Sequence, residues 1–154
     1  MKLYHGTDKS FSQPDLKKAR ENTDFGQGFY LTESERAAQD WVKGKSVQNI
    51  NVYELTLEDV PSCTIRIKHY EADEHWAKYV YNNRKGKIKK GDFSDIVIGP
   101  IADNGLNKLF DQIDRKEASF KDIAPKLRLM KFKASQFCFK TESAIKLLEY
   151  AKGK

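Results

Sequence analysis

Short apolar segments, some continuous and some alternating with polar residues, predict the strands of this protein. Residues 2–5 are apolar and end at Gly6, which predicts a first strand. Residues 49–57 alternate Ile, Val and Leu with polar residues, as a half-buried strand does. Residues 93–100 hold a continuous apolar run that ends at Gly-Pro, which indicates a buried central strand. Residues 135–140 predict a further strand late in the chain.

Apolar side chains at helical spacing predict five helices between and after these strands. Four of them are residues 33–42, 70–83, 106–113 and 120–129, and the fifth follows Thr141, with Ala144, Ile145, Leu147 and Leu148 as its apolar positions. Residues 15–21 can form one or two helical turns. Because strands and helices mix without a regular β-α-β alternation, the sequence predicts an α+β fold.

Length and composition indicate a soluble globular protein with one domain over residues 1–154. Hydrophobic residues make up 39% of the chain, and no apolar run approaches the length of a membrane span. No secretory signal is evident at the amino terminus, so we expect a cytoplasmic protein without a membrane partner. Cys63 and Cys138 lie far apart in the sequence and are expected to be free thiols in a reducing compartment.

The net charge of +6 permits an acidic partner such as nucleic acid, but it does not require one. Much of the excess positive charge lies in residues 84–90, which fit either a solvated basic loop or a phosphate-binding patch. His69 and His75 lie near Cys63, but a zinc site needs tighter ligand pairs and a fourth ligand. We therefore expect no metal.

Three segments stand out by their chemistry. Residues 24–32 read DFGQGFYLT, in which two glycines one residue apart precede an aromatic run. Glycine tolerates positive φ and a close approach to the backbone, so this segment alone predicts a tight turn before a core strand. The chain also begins with LYHGT at residues 3–7 and ends with a strand SQFCF at residues 135–139.

The order of these segments resembles the ADP-ribosyltransferase fold of the poly(ADP-ribose) polymerase and diphtheria-toxin type. In that fold a His-Gly, a Tyr after Gly-x-Gly and a late-strand Glu form the NAD site. The resemblance covers the first 45 residues and, more weakly, the last 20, and it implies a split β-sheet core with flanking helices. With the DIVIGP block at residues 95–100, the chain resembles a small uncharacterised bacterial family. Such proteins are often toxins of toxin–antitoxin or phage-defence pairs, which implies an antitoxin partner.

The resemblance implies a role for each matching residue. His5 matches the histidine that hydrogen-bonds the adenosine ribose, and Gly6 matches the residue whose backbone clamps the nicotinamide carboxamide. Tyr30 matches the tyrosine that stacks on the nicotinamide, and Trp41 falls where the polymerases have a second stacking tyrosine. Thr7 and Gly28 complete the NAD-binding set, and Ala38 stands where the polymerases carry a serine.

The third segment departs from the family, because Gln136 stands where the polymerases have the late-strand Glu. A glutamine accepts a hydrogen bond but carries no charge and is no general base at neutral pH. The implied catalytic triad is therefore His5, Tyr30 and Gln136, without chain elongation. Asp103 is a secondary candidate whose alternative is an aspartate of the local turn.

The function predicted from this resemblance is mono-ADP-ribosylation of a protein or nucleic acid, with NAD as co-substrate and release of nicotinamide. Two departures, at Gln136 and Ala38, leave an NAD-binding pseudoenzyme or an NAD glycohydrolase as alternatives. A third possibility, which rests on the basic segment alone, is a nucleic-acid-binding protein that does not use NAD.

Overall fold

Seven strands form one mixed sheet in the computed structural model, which describes residues 1–9, 13–58, 60–61, 64–88, 93–102, 105–130, 132 and 134–153. The strands are β1 (Lys2–Thr7), β2 (Phe29–Thr32), β3 (Asn49–Leu55), β4 (Ile67–His69), β5 (Ile96–Pro100), β6 (Ser135–Phe139) and β7 (Leu148–Gly153). Their order across the sheet is β4-β5-β6-β2-β1-β3-β7. Only the β4–β5 pair is parallel among the pairs described.

In the part of the chain that the structure describes, five α-helices connect or flank these strands, so the predicted α+β class is confirmed. They are α1 (Glu35–Val42), α2 (Glu74–Arg84), α3 (Gly105–Asp114), α4 (Phe120–Leu129) and α5 (Glu142–Ile145). Helices α1, α2 and α4 each begin with a capping residue whose side chain accepts a hydrogen bond from a backbone N–H of the first turn. These residues are Ser34, Asp73 and Ser119. Within the described part of the chain, no helix is both long and apolar enough to cross a membrane.

Two strands were not predicted. The final helix was expected to reach Leu148, but it ends at Ile145, and residues from Leu148 onward pair with β3 instead. Apolar positions spaced one, three and four apart favour a helix, but pairing with β3 overrides this local pattern and gives β3 its outer neighbour. Strand β4 has three exposed residues, so its sequence carries no burial pattern, yet it forms a parallel β4-α2-β5 unit.

The sheet carries a hydrophobic cluster on each face. One cluster includes Phe25, Trp76, Val97, Leu106, Ile123 and Cys138 and packs helices α2, α3 and α4 on the sheet. The other includes Leu3, Phe29, Leu31, Tyr53, Phe137 and Phe139. Because side chains alternate along a strand, β2 contributes Phe29 and Leu31 to the second cluster and Tyr30 to the first.

The junction between β1 and β2 is the weakest pairing inside the sheet. Among the described residues it has one register pair, Tyr4 with Thr32, whereas β1 forms six with β3 and β2 forms four with β6. Strand β1 nevertheless continues to Thr7, and β2 begins at Phe29. The two strands therefore separate over most of their length, and the sheet consists of two halves that meet at one pair.

Candidate functional site

His5 lies on β1 at the point where β1 and β2 separate. Its Nδ1 is 2.7 Å from the backbone oxygen of Tyr30. A carbonyl oxygen can only accept, so Nδ1 carries the proton, and in a neutral ring Nε2 carries the lone pair. The ring also packs on Phe29, with centroids 4.5 Å apart. The side chain thus bridges the two halves of the sheet where backbone pairing has stopped.

Burial lowers the pKa of His5 from its ordinary value of 6.5, since the charged ring is poorly solvated there. Between the lowered pKa and 6.5 the unfolded chain binds more protons than the folded one. We expect the free energy of unfolding to rise with pH across this window and to level off above it. Urea denaturation between about pH 5 and 8 measures this dependence. His5→Gln is expected to flatten it, whereas exposed His75→Gln is the control; an unchanged slope in His5→Gln contradicts the assignment.

Gly6 faces helix α1 and not an open cleft. A Cβ at this position would overlap the backbone oxygen of Ala38 and lie 3.3 Å from Cγ1 of Val42. The missing side chain therefore allows α1 to pack directly on β1. Thr7 is buried, and its hydroxyl accepts from the backbone N–H of Lys9 at 3.1 Å, which closes the turn after β1.

Trp41 lies half-buried near the end of α1, the helix that contacts Gly6. Its exposure leaves part of the indole able to contact a ligand. The helix buries Ala37, Ala38 and Val42 and turns Trp41 partly toward solvent.

Tyr30 extends its hydroxyl into the glycine-rich loop before β2. The hydroxyl accepts from the backbone N–H of Phe25 at 2.8 Å, donates to the Gly26 oxygen at 2.5 Å and lies 2.9 Å from Oγ1 of Thr23. Burial raises the pKa of Tyr30 far above its ordinary value, so the hydroxyl stays protonated. The hydroxyl holds the loop, which leaves the half-buried ring as the part of Tyr30 that can meet a ligand.

Gly26 and Gly28 of the loop must be glycines for different structural reasons. Gly26 has a φ of +83°, a conformation that side chains rarely adopt. A Cβ at Gly28 would overlap Sγ of Cys138 and lie 2.9 Å from the Phe139 oxygen, so this glycine lets the loop enter β2 against β6. Cys138 is buried, and within the described residues it forms no disulfide.

Gln136 is buried on β6, between Gly99 of β5 and Thr32 of β2. Its Nε2 donates to Oδ2 of Asp24 at 3.1 Å and to the Pro100 oxygen at 3.2 Å. The sequence interpretation did not include Asp24 among the site residues. Its only signal was its position directly before the Phe-Gly-Gln-Gly run.

Asn51 is a second residue that the sequence interpretation missed. It pairs directly with His5 across β1 and β3, so the two side chains point to the same face. Asn51 is fully buried, and among the described residues neither Oδ1 nor Nδ2 has a hydrogen-bond partner. Such a group is rare in native proteins. Its signal in the sequence was a polar residue at an inward position of an alternating strand.

The fold brings the three predicted triad residues onto neighbouring strands, but their side chains do not share one face of the sheet. The ring of His5 packs on Phe29, which belongs to the second cluster, whereas Tyr30 packs on the first. His5, Tyr30 and Gln136 lie on β1, β2 and β6, which are consecutive in the sheet although far apart in the sequence. Thr32 pairs with Tyr4 on one side and with Gln136 on the other. The glycine loop also borders a cleft of about 460 Å³, which is lined by Glu21, Asn22, Gly26, Gln27, Asn83, Gly86, Ile88, Ser94, Lys140 and Thr141. The cleft is lined by none of the predicted site residues that the structure describes, which are His5, Gly6, Thr7, Gly28, Tyr30, Trp41 and Gln136.

The described part of the basic segment contacts acidic residues of the protein itself. Arg84 donates to Asp24 at 2.7 Å, and Nζ of Lys85 lies 2.8 Å from Asp114. Nζ of Lys87 lies 5.0 Å from the centre of the Tyr81 ring. Residues 89–90 of this segment, together with Cys63 and Asp103, lie outside the described residues. Among the residues that the structure does describe, no three His, Cys, Asp or Glu side chains lie close enough together to hold a metal ion.

One family model matches the chain. It is described as a protein of unknown function (DUF3990) and matches residues 1–150. No curated protein and no solved structure matches. The matched range contains β1, β2 and β6, and therefore all three strands that carry the triad residues.

Proposed function

The chain belongs to the DUF3990 family, and from the arrangement of its three motif strands we propose that it is an NAD-dependent mono-ADP-ribosyltransferase. The observation that carries this proposal is the adjacency of β1, β2 and β6, at the junction where the sheet separates into two halves. The sequence resemblance implies that residues of these three strands bind one NAD molecule. A fold that kept the strands apart would have argued against it.

Transfer from NAD breaks the bond between C1′ of the nicotinamide ribose and the ring nitrogen. The electron pair goes to that nitrogen, so the cationic nicotinamide leaves as a neutral molecule and needs no proton. Positive charge develops on the ribose, and a nucleophile of the acceptor then bonds to C1′ and releases its proton. A site for this reaction must orient NAD, bind the nicotinamide and favour charge on the ribose.

The side chains at the junction suit these tasks. A neutral His5, whose Nδ1–H is held by the Tyr30 carbonyl, suits a ribose hydroxyl better than a phosphate. The rings of Tyr30 and Trp41 are partly exposed, and aromatic faces attract a flat cation. Gln136 supplies a hydrogen-bond acceptor without charge, which fits a single transfer better than the activation of many successive acceptors.

Calorimetry with NAD and detection of released nicotinamide test the proposal. We expect NAD to bind and to raise the melting temperature, because a ligand of the native state stabilises it by mass action. His5→Gln is expected to weaken NAD binding about tenfold through loss of the imidazole contact. Exposed His75→Gln is the matched control and should bind as the wild type does. His5→Gln is preferred to Tyr30→Ala, which would remove the three contacts of the hydroxyl in the glycine loop.

The outcomes separate the candidate functions. Neither binding heat nor nicotinamide release would reject NAD as the co-substrate. Binding without release identifies a pseudoenzyme, and release without a labelled macromolecule identifies a glycohydrolase. When label from NAD enters a lysate component, nuclease and protease treatment distinguish a nucleic-acid acceptor from a protein acceptor. We do not propose nucleic-acid binding without NAD, because Arg84 and Lys85 are already paired with Asp24 and Asp114.

A further inference from the structure

Asp24 lies between a fixed cation and the third triad residue. Its Oδ1 accepts from Nε of Arg84 at 2.7 Å, and its Oδ2 accepts from Nε2 of Gln136 at 3.1 Å. Arg84 is held in turn by Oδ1 of Asn107 at 2.8 Å and by the Phe110 ring at 5.7 Å. The carboxylate is largely buried, with 19% of its side chain exposed, so these contacts are only partly screened by water.

These contacts fix the orientation of the Gln136 side-chain amide. A glutamine amide can rotate by half a turn and exchange its oxygen for its NH₂ group. Oδ2 of Asp24 and the Pro100 oxygen are both acceptors only, so they hold the NH₂ group on their side. No described residue donates to the amide oxygen, Oε1, which points to the opposite side.

We propose that Asp24 is a positioning residue that holds Oε1 of Gln136 as the hydrogen-bond acceptor for a ribose hydroxyl of NAD. This inference rests on the function proposed above and names a second residue of the same site. A glutamate presents an acceptor oxygen in either orientation, whereas a glutamine does so only in one. The neighbouring carboxylate removes this ambiguity, since a hydrogen bond to a charged acceptor is stronger than one between neutral groups.

An exchange of the two side chains tests the proposal. In Asp24→Asn, no orientation of the new amide can accept from both Arg84 and Gln136, as the carboxylate does. In Gln136→Glu, two carboxylates face each other. We expect each single variant to bind NAD about tenfold more weakly. In Asp24→Asn the amide of Gln136 is no longer held in one orientation, and in Gln136→Glu the repulsion between the two carboxylates displaces the acceptor from its place. In the double variant, the new amide at position 24 can donate to the new carboxylate at position 136 while its oxygen accepts from Arg84. Its affinity should therefore exceed that of either single variant, although the new carboxylate still faces the Pro100 oxygen.

Arg84→Gln is the control for a loosened loop, because it removes the other partner of Asp24 and leaves Gln136 in place. We expect it to lower the melting temperature as Asp24→Asn does, with NAD affinity within about threefold of the wild type. The dissociation constant is measured by calorimetry well below each melting temperature. If Asp24→Asn does not fold, the comparison of Gln136→Glu with the double variant still carries the test.

Three results overturn the inference in different ways. Single variants that bind NAD as the wild type does, despite a lower melting temperature, make Asp24 an anchor of the loop alone. Arg84→Gln that loses as much affinity as Asp24→Asn attributes the effect to the loop. A double variant that binds no better than the single variants also rejects the pairing. A wild type that binds no NAD rejects the proposed function itself, and this inference with it.

Discussion

Replacing Gly6 with alanine is expected to lower the free energy of unfolding by about 3 kcal/mol. The new Cβ would overlap the backbone oxygen of Ala38 and approach its carbonyl carbon to 3.0 Å. Both backbones belong to regular elements, β1 and α1, so no side-chain rotation can relieve the contact. The helix must move away from the sheet and give up the packing of Val42.

Gly44→Ala is the control for this prediction. Gly44 has a φ of +87°, but no atom lies within 4 Å of the position that a Cβ would take. An alanine there costs only the strain of a left-handed conformation, about 1 kcal/mol. Urea denaturation of both variants compares the two effects. Equal losses of stability would mean that the contact between Gly6 and α1 is not needed for the fold.

The glycines illustrate how far the sequence carries the interpretation. The sequence interpretation treated Gly6 and the glycines of residues 24–32 as positions where another group approaches the backbone closely, and the structure leaves no room for a Cβ at Gly6 or Gly28. The sequence did not identify what occupies the space, because Ala38 and Cys138 reach these glycines only through the packing of α1 and β6. Because α1 fills the space beside the Gly6 Cα, only the backbone N–H and C=O of Gly6 remain to bind the carboxamide, as the sequence interpretation proposes.

Long-range polar contacts were the part of the site that the sequence could not predict. Asp24 meets Gln136, and Asn51 meets the face of His5, only after the strands have paired. Local patterns did predict most elements, since periodicity and capping residues act within a few positions. They failed at β4 and β7, where the pairing partner and not the local pattern decides the structure.

Trp76→Ala is expected to lower the free energy of unfolding by about 4 kcal/mol, the cost of emptying a fully buried aromatic site. The indole packs edge to face on Phe132, with centroids 5.1 Å apart. Its Cδ1 lies 3.4 Å from the position that a Cβ at Gly99 would take, so the indole also packs against this glycine. Urea denaturation measures this loss. Trp41→Ala is the matched control, and we expect it to cost about 1 kcal/mol, because Trp41 is half-buried on α1.

We expect the order of the two substitutions to reverse when NAD affinity is measured in place of stability. Trp41 is the proposed stacking residue, so Trp41→Ala should weaken NAD binding about tenfold, whereas Trp76 has no role at the ligand. The chain has 2 tryptophans, so Trp76→Phe leaves Trp41 as the sole source of indole emission. Quenching of that emission by NAD then reports directly on the proposed contact. Unchanged emission at saturating NAD, or unchanged affinity in Trp41→Ala, would remove Trp41 from the site while leaving the core role of Trp76 intact.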